Sequence, residues 1–173
     1  MKRTATKQIS LRKFVRFMWS TLLIGLIGGV LILVFFGGAL YSAYDAKTKR
    51  QEFNSFRSWS NLRDLTMALQ VYSYEYDGKL PPMQNSLRLR KILSDGWLRD
   101  KEAWTLPGTA EMYILNPSLS FRKFESLPEK TIFFVEPRPF YNSQRKASLK
   151  SGRVKSISDD ELRKLMPSAF SNN

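Results

Sequence analysis

The stretch that decides the fold runs from Trp19 to Tyr44, WSTLLIGLIGGVLILVFFGGALYSAY, and holds no charged residue. About 18 consecutive apolar residues suffice to cross a bilayer as a helix, and this run is longer. Backbone in lipid has no water to bond, so its N–H and C=O groups must pair within the segment, as in a helix. Phe17 and Trp19 at one end, and Tyr41 and Tyr44 at the other, put aromatic rings where membrane–water interfaces would fall. One alternative is the core helix of a soluble protein, although such a helix is seldom so long and so uniformly apolar. A cleaved secretory signal is the other alternative. The basic start suits a signal, but a signal's apolar core spans only about 7–15 residues. The best small-residue cleavage site, Gly37-Gly38-Ala39, also lies inside the run. The favoured reading is an uncleaved anchor.

Orientation follows from the flanks. Lys2, Arg3, Lys7, Arg12, Lys13 and Arg16 precede the run without an acid, whereas Lys47, Lys49 and Arg50 follow it mixed with Asp45 and Glu52. The more positive flank stays in the cytoplasm. The expected organisation is a basic cytoplasmic tail at 1–17, a transmembrane helix at 18–44 and an extracytoplasmic domain at 45–173. The first part of the tail, Met1 to about Leu11, is expected to be disordered or to lie on anionic headgroups.

The 173 residues carry a net charge of +13, with neither cysteine nor histidine. Without cysteine there is no disulfide framework and no thiol nucleophile. Without histidine the commonest general base and metal ligand are missing. No cofactor or metal motif is present, and the chain reads as a non-enzyme. A basic surface attracts phosphates, anionic lipid or acidic polymers without selecting among them.

No Pro or Gly interrupts residues 44–76, and Phe53, Phe56, Trp59, Leu62, Leu65, Leu69, Tyr72 and Tyr76 recur every three or four residues. That spacing predicts a helix with one buried stripe. Arg57, Ser58, Asn61, Asp64, Gln70 and Ser73 fall on wetter faces. Anchor and stripe form either one rod or two helices broken near residues 45–50. Asp77-Gly78 stops the helix, and Pro81-Pro82 forbids its resumption. A short helix is expected at 86–94 with Leu87, Ile92 and Leu93 inward. Strand-type runs follow at 112–115 and 131–136. Residues 146–150 and 153–158 flank Ser151-Gly152 as a hairpin with a two-residue turn. Ser158-Asp159-Asp160-Glu161 is a capping-box pattern ahead of Leu162, Leu165 and Met166. The predicted class is α+β, a long N-terminal transmembrane helix continuing into a domain whose small antiparallel β-sheet packs on it. Leu62, Leu65 and Leu69 are expected to face Ile132, Phe134, Leu149 and Val154, with Ile132 and Phe134 on one sheet face.

Several separated motifs in this order resemble a type IV pilin or pseudopilin. They are NLRDLTMALQVY (61–72), DGKLPP (77–82, with Asp77, Gly78, Pro81 and Pro82), PEKTIFFVE (128–136, ending on Glu136) and ASLKSGRVKSI (147–157). The likeness covers about residues 55–165. The last motif is similar to a closing hairpin whose Asp-Gly-His is here Ser151-Gly152-Arg153. The prepilin peptidase site is missing: no Gly precedes Gly25, and no acid lies between Met1 and Asp45. The resemblance implies a pilin-like fold and a non-catalytic, membrane-anchored subunit or tether of a secretion- or pilus-related assembly. It also implies a bacterial inner membrane, other pilin-like or secretion-machinery subunits as partners, and a possible homo-oligomer.

Three features have site-like composition. Gly25, Gly28 and Gly29 form a small-residue face suited to close helix packing, although glycine is common in membrane helices anyway. Asp159, Asp160 and Glu161 have the composition of an ion site, but acids at a helix start are explained by its dipole. Arg145, Lys146, Lys150, Arg153 and Lys155, near Phe140 and Tyr141, make a basic hairpin. It suits a nucleic-acid backbone or another acidic polymer, or else protects a sheet edge from aggregation. The edge reading is favoured, which leaves a tethered polyanion binder as the alternative function.

Overall fold

Helix α1 covers Arg3–Glu75. The computed structural model of the chain describes residues 3–98, 100–139 and 144–169. Two compact units make up the chain, Met1–Arg50 and Gln51–Asn173.

In the first unit α1 begins at Arg3, so the basic tail is helical rather than irregular. No Gly or Pro occurs before Gly25 to stop it. The Ser20 and Thr21 hydroxyls donate to the Phe17 carbonyl at 2.8 and 3.0 Å, and Ser42 donates to Ala39 at 2.9 Å. These three hydroxyls of the apolar run are thus satisfied by their own helix. By length and composition this helix can cross a membrane, and none of its most apolar window is buried by the rest of the chain. Residues 45–50 stay helical. Lys49 pairs with Asp45 one turn back at 2.7 Å, and the expected alternative of a break there is not seen.

In the second unit α1 buries Leu62, Leu65 and Leu69 completely, but Phe53 and Phe56 stand exposed. The stripe therefore starts later than its spacing suggested. It is also more polar than expected: Ser58, Asn61, Thr66 and Ser73 are buried with it. The helix closes when the Gly78 N–H donates to the Ser73 carbonyl at 2.8 Å. Asp77 (φ 51°) and Gly78 (φ 73°) are both left-handed, so the first such position falls to Asp77, a residue type that tolerates it.

Helix α2 covers Ser86–Ser94, and the Asn85 side chain caps it by accepting from the Arg88 N–H. Its buried residues are Leu89 and Leu93, while Leu87 is exposed, contrary to expectation. Leu89 and Leu93 are four apart and share a face, whereas Leu87 sits two residues from Leu89 and points away. Strands β1 (Ile114–Leu115), β2 (Ile132–Val135), β3 (Gln144–Leu149) and β4 (Val154–Ser158) form one antiparallel sheet in the order β1-β2-β3-β4. Helix α3 covers Asp159–Leu165 and is capped by Ser158, whose hydroxyl accepts from the Glu161 N–H. Leu162 and Met166 are buried, but Leu165 is exposed.

Two details of the sheet differ from the sequence reading. The Gly152 N–H bonds the Leu149 carbonyl and the Leu149 N–H bonds the Arg153 carbonyl, with Gly152 at φ 76°. The turn is therefore the three-residue Lys150-Ser151-Gly152 with a glycine bulge, not a two-residue turn. The second difference is a register shift between Ile132 and Phe134. It breaks the alternation of β2, so Phe133 and Phe134 both join the core under α1. Ile132 and Leu149 face the other way, with Val135, Ala147, Ile157, Leu162 and Met166. Of the four residues expected to meet the leucines of α1, Phe134 shares their buried cluster and Val154 packs against that cluster.

Candidate functional site

The least expected feature is a polar cluster inside the Gln51–Asn173 unit. Glu136, at the end of β2, is 0 % exposed. The Ser58 hydroxyl of α1 donates to its Oε1 at 2.6 Å, and the Lys146 N–H of β3 donates to its Oε2 at 2.8 Å. Tyr113 donates from its hydroxyl to Ser58 Oγ at 3.0 Å. The Lys146 ammonium lies 4.0 Å from Glu136 Oε1 and donates to the carbonyl and hydroxyl of Ser55 at 2.5 and 2.6 Å. One carboxylate thus joins α1, β2 and β3.

Burial sets the electrostatics. Desolvation lowers the Lys146 pKa, against the opposing pull of Glu136. Burial pushes Tyr113 up to about 12, more than its bond to Ser58 lowers it. The pair of Ser58 and Glu136 has the spacing of a nucleophile and base. Both residues, however, are 0 % exposed. A depression of about 610 Å³ lies beside the cluster, lined by Ser55, Phe56, Trp59 and Lys146 among others. The arrangement is a structural clamp: buried, hydrogen-bonded and closed.

The other residues singled out from the sequence are scattered. Gly25, Gly28 and Gly29 have nothing within 4 Å of where a side chain would stand, so that face of α1 is open. Pro81 is buried and Pro82 half-buried after the helix stop, and Ser151 is exposed on the turn. In the basic hairpin, Arg145 is held by Asp159 through bonds of 2.7 and 3.2 Å and also bonds the Pro137 carbonyl. Lys150 donates to the Leu127 carbonyl at 2.8 Å and pairs with Glu129 at 3.2 Å. Lys155 pairs with Glu161 at 3.4 Å, and Arg153 is exposed. Phe140 and Tyr141 lie outside the described residues. Arg145 lowers the Asp159 pKa chiefly by its hydrogen bond. Asp159 and Glu161 therefore serve the hairpin and the α3 cap, Asp160 lies in the first turn of α3, and no metal-type cluster of three ligands occurs among the described residues.

Sequence reasoning missed Ser58 and Tyr113 and knew Glu136 only as part of a motif. A signal for Ser58 was present: 58, 62, 65 and 69 are spaced four, three and four, which places the serine on the buried stripe. No family model, curated protein or solved structure matches this chain.

Proposed function

We propose that this chain is a single-pass protein of the bacterial inner membrane, with a cytoplasmic N-terminus and a pilin-like domain outside. In this reading it is a non-catalytic subunit or tether of a secretion- or pilus-related assembly and acts through lateral packing of α1. The observation that carries the proposal is the open apolar surface of α1 in the Met1–Arg50 unit, none of whose most apolar window is buried by the chain itself. Such a surface requires lipid or other helices around it. The order of a long helix followed by a small antiparallel sheet supports the pilin-like part, as do the motifs at 61–72, 77–82, 128–136 and 147–157. Orientation rests on the unbroken basic flank before the run.

The alternative, a tethered binder of nucleic acid or another acidic polymer, has a narrower base. Arg145, Lys146 and Lys150 are committed to internal partners, which leaves Arg153 and Lys155 as the more exposed cations of the hairpin.

The native chain has no cysteine, so single cysteines placed along residues 22–36 report helix contacts directly. Oxidative cross-linking in native membranes should peak at Gly25 and Gly29 and recur with helical period. Cross-links of equal strength on all faces, or none, would remove lateral packing from the proposal. A reporter fused after the last residue should be active only outside the cytoplasm.

A further inference from the structure

The sheet face that carries α3 is only partly covered. Leu162 and Met166 pack over Ile132, Val135 and Ile157, but between α3 and the β3–β4 hairpin a groove of about 670 Å³ stays open. Its apolar lining includes Leu149, Ile157 and Leu165, the last of which is 51 % exposed. Charged residues surround that lining, and their pairing decides what the groove attracts. Glu161 is answered by Lys155 at 3.4 Å, and Glu129 by Lys150 at 3.2 Å. Lys130 and Arg153 are exposed and, among the described residues, make no side-chain hydrogen bond or ion pair. The groove therefore combines an aliphatic floor with two uncommitted cations. Its size falls in the range of about 300–1,000 Å³ typical of ligand sites.

We propose that this groove docks a peptide segment of a partner protein, setting a carboxylate against the Arg153 guanidinium and aliphatic side chains on Leu149 and Leu165. The guanidinium offers a planar fork of donors that matches a carboxylate. Lys130 adds a second positive charge for an acidic segment. The aliphatic floor favours a peptide over a nucleic acid, because among the described residues no aromatic ring lines the groove to stack a base. The inference stands apart from the pilin-like reading, since no residue of α1 takes part.

The test uses the full chain in nanodiscs of zwitterionic lipid, so that membrane charge does not attract the probe. The probe is a fluorescein-labelled heptapeptide of alternating leucine and aspartate, read by anisotropy. Saturable binding is expected, together with rejection of the same peptide carrying lysine for aspartate. The double variant Lys130→Glu with Arg153→Glu should weaken the aspartate peptide by about tenfold and reverse the preference toward the lysine peptide. Leu165→Asn should weaken both peptides, because it removes apolar wall without changing charge. Three results overturn the proposal: no saturable binding, equal binding of the two peptides, or no reversal in the double variant. Displacement of the aspartate peptide by a short DNA oligonucleotide would also overturn it and assign the groove to a polyanion.

Discussion

In the Met1–Arg50 unit, Leu22, Leu26, Leu33 and Phe35 of α1 are each more than 60 % exposed, whereas in the Gln51–Asn173 unit Leu62, Leu65 and Leu69 of the same helix are 0 % exposed. The residue types are alike, and their distribution around the helix differs. Around residues 22–36 every face is apolar, so no orientation of the helix against one domain hides them all. Around residues 57–69 Leu62, Leu65 and Leu69 share one face with Ser58, Asn61 and Thr66, and Arg57, Arg63 and Asp64 take another, so one packed sheet suffices. Leucine content does not tell the two stretches apart. The placement of charge does, because a charged face must meet water and an uncharged circumference need not.

The largest test of this contrast is a matched pair of truncations. Leu65→Ala should cost the domain about 2–5 kcal/mol, as for other fully buried leucines. Leu33→Ala should leave the domain's unfolding unchanged. Urea titration of the detergent-solubilised chain, followed by tryptophan fluorescence, measures both, since Trp104 is 1 % exposed and packs edge-on to Phe134 at 6.2 Å. Equal effects would erase the difference between the two stretches.

Next in size is the clamp. Ser58→Ala removes one of the hydrogen bonds that hold the buried Glu136 carboxylate and should cost about 1–3 kcal/mol. Glu136→Gln should cost at least as much, because its amide NH2 must face a donor, either the Ser58 hydroxyl or the Lys146 N–H. A Ser58→Ala cost near zero would mean that Ser58 merely fills space.

A smaller effect should appear at alkaline pH. Tyr113 has its pKa raised from 10.0 to about 12 in the folded state. Between those values the unfolded chain loses the phenolic proton first, so stability falls as pH rises. The loss is at most about 2 kcal/mol after allowance for partial screening. Lys146 acts with the opposite sign: its lowered pKa makes stability rise with pH up to the ordinary lysine value of 10.5. Tyr113→Phe should abolish the alkaline fall and leave the rise in place. A fall that persists in that variant would place its origin elsewhere.

The smallest pair compares two neighbours on α2. Leu87→Ala should stay within about 0.5 kcal/mol, because the side chain is exposed. Leu89→Ala should approach the Leu65 value.

Much of the fold was readable from periodicity and turn chemistry. The uninterrupted helix, the Ser158 cap and the antiparallel strands each depend on local rules that residues nearby in sequence obey. What escaped depended on partners far away in sequence. Ser58 looked like a solvent-facing residue because its acceptor, Glu136, lies 78 residues on. Ile132 and Phe134 looked like one face because alternation assumes an unbroken ladder, and the register shift between them has no signature in the residues themselves. The basic hairpin looked like an open charged surface because charge can be counted from sequence and pairing cannot. Lys150, for example, turns back onto the carbonyl of Leu127.

The contrast between the two stretches of α1 is tested most directly by spin-label accessibility in liposomes, using single cysteines at each position of 22–36 and 58–69. Labels at 22–36 should rarely meet a water-soluble nickel complex on any face, and should collide often with oxygen except on the Gly25 and Gly29 face where another helix packs. At Leu62, Leu65 and Leu69 both reagents should be excluded, while Arg63 and Met67 should admit nickel. A nickel-accessible face recurring every three to four residues within 22–36 would place that stretch in water and refute the membrane assignment of α1.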